Sequence, residues 1–186
     1  MTNWTDFQNF DELWQGLLTE HQKRKGMLKT PTVTTSHQHK PQARTMVLRE
    51  FLSTPYPTLV FFTDIRSPKV AQIKSNPQIT IHSYSPRTRI QIQFYTTGHI
   101  TRKHPRFQQW RSQGLQRKED YATVASPSQP TDQLADVTYN LDLAGDNFAV
   151  MLCQIQSVEI LALGQPHQRC LWNYQNQAWT KQWLIP

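Results

Sequence analysis

Apolar residues recur at spacings of three and four from Trp4 through Phe7, Phe10, Leu13, Trp14, Leu17 and Leu18. That period lays them along one side of a helix, which the pattern ends near Gly26. Beyond it the period falls to two. Thr30 to Ser36 is β-branched and predicts a strand, His37 to Gln42 a turn, and Ala43 to Leu52 and Tyr56 to Thr63 the next strands. Ser67 to Ser75 predicts a short helix, closed by Asn76-Pro77. Gln78 to Ser85 alternates, and so does Arg89 to Thr101, with Ile90, Ile92 and Phe94 on one face and Arg89, Gln91, Gln93 and Tyr95 on the other. A helix over His104 to Gln113 and a polar loop over Ala125 to Asp136 precede a return to strand after Asn147. The C-terminal stretch predicts a hairpin turning at Asn176-Gln177. Many short strands with a few helices between them predict a mainly β (α+β) antiparallel barrel with peripheral helices, formed by residues 1–186 as one domain with the 1–26 helix packed on it.

Composition changes this picture little. The 186 residues suit one domain, and 11% aromatics argue against disorder. No run of about 18 apolar residues predicts a transmembrane helix. The first fourteen residues lack a basic stretch followed by an apolar one. Cys153 and Cys170 make no disulfide framework. These features lead to the expectation of a cytoplasmic protein with reduced thiols. The formal charge of +7 suits polyanions or a small phosphorylated ligand. The densest cluster, His21 to Lys25, falls where a helix end accepts cations ordinarily. No helix-turn-helix, zinc-knuckle or RNP-like motif accompanies it, so no nucleic-acid partner is expected.

Three segments carry candidate chemistry. Ser67 suits an N-cap and Pro68 the first helical position. Lys69 then stands in the first turn, where the helix dipole disfavours a cation. Free amides at such an end, with Lys69 and Arg66 beside them, make an anion site; a solvated loop and helix start fits the same residues. Arg44 shares a strand side with Met46 and Leu48, as a ligand-holding or a snorkelling arginine would. Gln91 and Gln93 project together, offering donor and acceptor to a heteroaromatic edge or simply forming a polar outer face. His37 and His39 lack a second ligand pair, and Cys153 lies in an apolar strand without a local histidine, so no metal or nucleophile is expected. With six glycines and no P-loop or G-x-G-x-x-G, a glycine-built phosphate cradle is not expected either.

In sequence order, R-T-M-V-L-R, F-x-T-D-x-R-S-x-K, a helix closed by N-P, and Q-x-x-x-x-G resemble the pyridoxamine 5′-phosphate oxidase family. The C-terminal R-C-L-W-N-Y-Q-N-Q-A-W and final L-I-P are similar too, so the resemblance runs from about Met27 to Pro186. It is closest to an oxidase-like branch with the signature T-D-x-R-S-x-K. The resemblance implies an FMN-binding split β-barrel and a homodimer with FMN at the subunit interface. It assigns Arg44, Thr45, Met46, Val47, Leu48 and Arg49 to the FMN phosphate and ribityl region. Phe62 and Thr63 would contact the cofactor, and Lys69, helped by Arg66 and Ser67, would bind its phosphate. Gln93 and Arg169 would approach the flavin.

The departures bear on substrate. Pro68 stands where the oxidases carry a second cation, and Arg49 where they carry a substrate-contacting lysine. Their Y-x-x-x-R-x-x-x-S finds no match in His104 to Tyr121, and their R-x-H-x-R becomes Gln165-Pro166-His167-Gln168-Arg169. The resemblance therefore implies an FMN-dependent, oxidase-like oxidoreductase with an altered or unknown small-molecule substrate, touched by Arg49 and His167. A true pyridoxine/pyridoxamine 5′-phosphate oxidase and a non-catalytic flavin-binding protein are the alternatives.

Overall fold

The computed structural model describes residues 4–186. Helix α1 (Phe10–Gln22) is opened by Asn9, whose side chain accepts from the Glu12 amide at 2.9 Å. Glu12 in turn accepts from the Gln8 amide at 2.9 Å, so two otherwise orphaned amides are satisfied reciprocally. The apolar stripe of α1 (Phe10, Leu13, Trp14, Leu17) is buried in the same core as the inward faces of the strands.

Nine strands follow among the described residues: β1 (Thr32–His37), β2 (Lys40–Thr45), β3 (Leu48–Leu52), β4 (Thr58–Asp64), β5 (Gln78–Ser85), β6 (Ile90–Thr101), β7 (Phe148–Ala162), β8 (Gln168–Gln175) and β9 (Ala178–Leu184). All pairs are antiparallel, in the order β2-β1-β5-β6-β7-β4-β3, with β8 and β9 branching from β7. The path does not close, since β2 and β3 are its two ends. Two hairpins, at Gln38-His39 and Asn176-Gln177, place both turn residues at positive φ, as the right-handed strand twist requires of a two-residue turn.

The single strand expected over Ala43–Leu52 is two strands. β2 pairs with β1 and β3 with β4, and the chain crosses from one sheet end to the other at Met46-Val47. Met46 and Leu48 donate their amides to Pro31 and Lys29 carbonyls at 3.1 and 3.0 Å, pinning the crossing. Met46, packed against the core, and Leu48, buried in it, stand two residues apart at the crossing, so the break leaves no mark in the apolar pattern. The turn expected over His37–Gln42 shrinks to Gln38-His39, and Lys40 to Gln42 join β2.

β7 is the strand on which the sheet splits. Its first half pairs with β4 from Asp64↔Phe148 to Thr58↔Gln154, and its second half with β8 from Ser157↔Asn173 to Ala162↔Gln168. β6 runs along the other side of both halves, with a register shift between Tyr95 and Thr96. That shift leaves Gln156 as an extra residue. Inward positions are Met151, Cys153 and Ile155 before it, and Val158 and Ile160 after it. The bulge thus keeps apolar residues inward while the strand exchanges one neighbour for another.

A second apolar cluster lies on the other face of β4 and β7. There Val60, Phe62 and Val150 meet Phe107 and Trp110 of α3 (Phe107–Gly114), Tyr121, and Ala144 of α4 (Ala144–Asn147). The helix expected from His104 begins at Phe107, after a turn closed by the Phe107 amide on the His104 carbonyl. The expected 125–136 loop holds one 3-10 turn, Leu134–Asp136. Cys153 and Cys170 are buried and unbridged, and burial pushes the Cys153 thiol up to about 12. Among the described residues no helix is long and apolar enough to cross a membrane.

Candidate functional site

Helix α2 (Pro68–Ser75) begins where β4 ends. Ser67 stands at its N-cap, but its hydroxyl donates to the Asp64 carbonyl at 2.8 Å and caps nothing. Lys69, in the first turn, folds back over this corner. Its Nζ donates to Ser67 Oγ at 2.9 Å and Thr63 Oγ1 at 3.2 Å. From β2, Arg44 donates to Thr35 Oγ1 at 2.6 Å and to Gln72 Oε1 of α2 at 3.2 Å. Thr35 donates to the same Gln72 oxygen at 2.5 Å. Two cations therefore converge on hydroxyl and amide oxygens, and neither forms an ion pair among the described residues.

Such an arrangement raises the energy of the charged lysine. Burial first, and the Arg44 cation second, pull the Lys69 ammonium below its ordinary range, with Asp64 opposing them in part. Burial lowers Arg44 as well. The consequence for stability has a definite sign. With a folded-state pKa below the unfolded value of 10.5, the unfolded chain binds more protons between the two values. Stability of the ligand-free protein should therefore rise with pH across that window. Urea unfolding of wild type and Lys69→Met from neutral pH to 10.5 checks this: the wild type should gain on the variant as pH rises.

The remaining positions fall into two other places. Arg66 commits its guanidinium to Asp64, at 2.7 and 3.1 Å, and to Val124 O and Thr123 Oγ1 across the chain. The structure thus gives Arg66 other partners than the Lys69 corner. Arg49 is exposed and lies 5.0 Å over the Phe62 ring, on the face of the second apolar cluster. It is near enough to Tyr121 to oppose the burial that pushes that phenol up to about 12. Thr45 and Val47 are exposed, Met46 is half-buried and Leu48 is in the core.

Gln93 and Arg169 lie elsewhere again. Gln93 is in register with His82 of β5 and Glu159 of β7. Glu159 is only 6% exposed. It accepts from Arg169 Nε at 3.0 Å and Nη2 at 2.7 Å on one oxygen, and from the Tyr95 hydroxyl at 3.3 Å on the other. Burial first, and the Glu159 carboxylate second, push the Tyr95 phenol up. His167, in the turn before β8, is exposed and bonds the Gly164 carbonyl through Nδ1 at 2.6 Å.

Strand pairing fixes which faces these groups occupy. Arg44 pairs with Val33, Val33 with Ile81 and Ile81 with Phe94, so Arg44 is on the inward-facing side. Gln93 and His82 are on the opposite face. The sequence-predicted set is thus divided: Arg44, Thr63, Ser67 and Lys69 meet at one corner, Arg49 and Phe62 on a second surface, and Gln93 and Arg169 on a third. Thr35, Gln72, Glu159 and Tyr95 complete these groups and were not singled out from sequence. Nothing local marks them, because their partners are 9 to 64 residues distant.

An open antiparallel sheet divided along one long strand, with a cation corner at the start of a short helix, defines the split β-barrel class. The family model for the pyridoxamine 5′-phosphate oxidase FMN-binding domain matches residues 8–102, over half of the chain, and the chain belongs to that family. A pyridoxamine 5′-phosphate oxidase-related, FMN binding protein from Nostoc punctiforme is 22% identical, with a TM-score of 0.73 over 100% of this chain and 98% of its own. PhzG from Burkholderia lata, solved with tetrahydrophenazine-1-carboxylic acid, is 15% identical, with a TM-score of 0.76 over 100% and 97%. General Stress Protein 26 from Bacillus anthracis is 13% identical, with a TM-score of 0.53 over 80% and 93%. At these identities the likeness is one of fold. No curated protein matches the chain.

Proposed function

We propose that the protein binds FMN and works as an oxidoreductase of the pyridoxamine 5′-phosphate oxidase type on a substrate other than a B6 phosphate. The observation that carries this reading is that Lys69, at the uncapped start of α2, and Arg44, one turn further along it at Gln72, lie near each other with no ion pair to either among the described residues. A dianionic phosphate is the chemistry such a corner lacks. It would accept from Lys69 and Arg44, from the Ser67 and Thr63 hydroxyls and from first-turn amides. Its charge would also offset the penalty that burial and Arg44 lay on the Lys69 ammonium.

When bound, the flavin supplies the redox chemistry, accepting a hydride from the substrate. The chain's own residues orient it. Gln93 offers a donor and an acceptor on one side chain. Arg169, held on one edge by Glu159, keeps Nη1 free of protein partners among the described residues. Because these two lie on the face opposite Arg44, one flavin gripped at Lys69 meets the Gln93 and Arg169 of a second copy. That geometry supports a homodimer with the cofactor between subunits.

The altered substrate is supported by Arg49 resting on Phe62, and by the absence of the oxidases' phosphate-binding spacing from the 104–121 segment. The tricyclic carboxylic acid held by PhzG, a protein of the same fold, is in keeping with chemistry outside the B6 phosphates. The test is the colour of the purified protein, mass spectrometry of its released ligand, and turnover of pyridoxamine 5′-phosphate after FMN loading. A yellow protein releasing FMN and turning over this substrate poorly is expected. A colourless protein that takes up no FMN overturns the flavin reading, and rates like those of a true oxidase overturn the altered substrate.

A further inference from the structure

The C-terminal end of α1 and the β5–β6 turn enclose a cavity of about 710 Å³. This is within the range of small-molecule sites. Its walls include Trp4 and Tyr84, and three cations, Lys23, Lys25 and Arg87, against one carboxylate, Glu20. Glu20 is already satisfied, by Lys23 at 2.5 Å and the Met27 amide at 3.0 Å. Lys25 and Arg87 are exposed and form no ion pair among the described residues. A cavity with aromatic walls and two uncompensated cations suits a planar acid.

Its position in the sheet gives the cavity a role. Tyr84 pairs with Gln91, Gln91 with Leu161 and Leu161 with Arg169, so Tyr84 stands in one cross-strand row with Arg169. Gln93 lies two residues along from Gln91 on the same face. It is thus the diagonal neighbour of Tyr84, at about 7–8 Å. That is the span of a fused aromatic system with an acidic substituent. The turn carrying His167 is at the same end of the sheet, since the Leu163 amide donates to the Arg89 carbonyl at 2.9 Å.

We infer that this cavity binds the acidic group of an aromatic substrate, with Lys25 and Arg87 holding the anion while the ring extends over Tyr84 toward Gln93. The inference rests on the reading that FMN lies against Gln93. It names the substrate class as planar aromatic acids, and it places their charge on α1 and the β5–β6 turn, not on the 104–121 segment.

The experiment uses FMN-loaded protein titrated with 2-naphthoate and with its neutral isostere 2-naphthamide, followed by calorimetry and by the visible flavin spectrum. Naphthoate should bind and shift the flavin bands, and naphthamide should bind about tenfold more weakly or worse. Lys25→Ala/Arg87→Ala, altered only at exposed positions, should lose about tenfold or more in naphthoate affinity and keep its FMN affinity. An unchanged naphthoate affinity in the double variant, or binding with no flavin shift, overturns the inference and leaves the FMN reading standing. A protein that takes up no FMN yet binds naphthoate through these cations overturns the flavin reading, and with it the role of the cavity in catalysis.

Discussion

Lys69→Ala is expected to weaken FMN binding by about 1.5–3 kcal/mol, the usual worth of a hydrogen bond to a charged group. That is roughly a ten- to hundredfold rise in Kd. The ammonium is held over the start of α2 by Ser67 and Thr63, and neither of those hydroxyls can neutralise a dianion in its place. The ligand-free fold should not suffer, because burial and Arg44 already disfavour the Lys69 charge. Loss of affinity with an unchanged or higher urea midpoint is therefore the signature. Lys69→Arg, which restores the charge, should recover part of the binding. An FMN affinity equal to wild type in Lys69→Ala would remove this residue from the site.

Arg169→Ala should cost about 1–2 kcal/mol of folding stability, between the worth of an exposed ion pair and the cost of breaking a fully buried one. The variant leaves Glu159 buried with the Tyr95 hydroxyl as its remaining side-chain partner. Arg169 is itself about a third exposed, at 34%, so the converse change, Glu159→Ala, should cost less. The double variant should be more stable than Arg169→Ala alone, since no charge is then stranded. Urea midpoints of the three variants settle the order. If Arg169→Ala unfolds with the wild type, the pair does not hold this end of the sheet.

How far the sequence disclosed this architecture depends on which physical rule each element obeys. β6 was legible to within a residue because one face meets the core and the other does not, so alternation is imposed along its length. The division of Ala43–Leu52 into β2 and β3 was not, because Met46 and Leu48, two residues apart at the crossing, meet one core and keep the apolar period intact. Lys69 stood out through its conflict with the helix dipole. Arg44 could be found only as an oddly placed cation, since Thr35 and Gln72, which hold it, are distant in the chain. The capture of Arg66 was within reach of local reasoning: Asp64 lies two residues before it, and the two form a close side-chain pair. The basic cavity was hidden because HQKRK reads as an ordinary helix end until the β5–β6 turn is folded against it.

The extra residue in β7 sets the course of the strand and not the sides of its residues. Gln156 touches little beyond Thr97, to whose hydroxyl it donates at 2.7 Å, so many side chains would serve in its place. Its removal would keep the alternation as well, with Ile155 inward, Ser157 outward and Val158 inward, so Val158 and Ile160 would stay in the core and Glu159 on the other face. Deleting Gln156 should therefore spare the core and straighten β7 where it passes from β4 to β8, whereas a polar residue in place of the buried Ile155 beside it should not be tolerated.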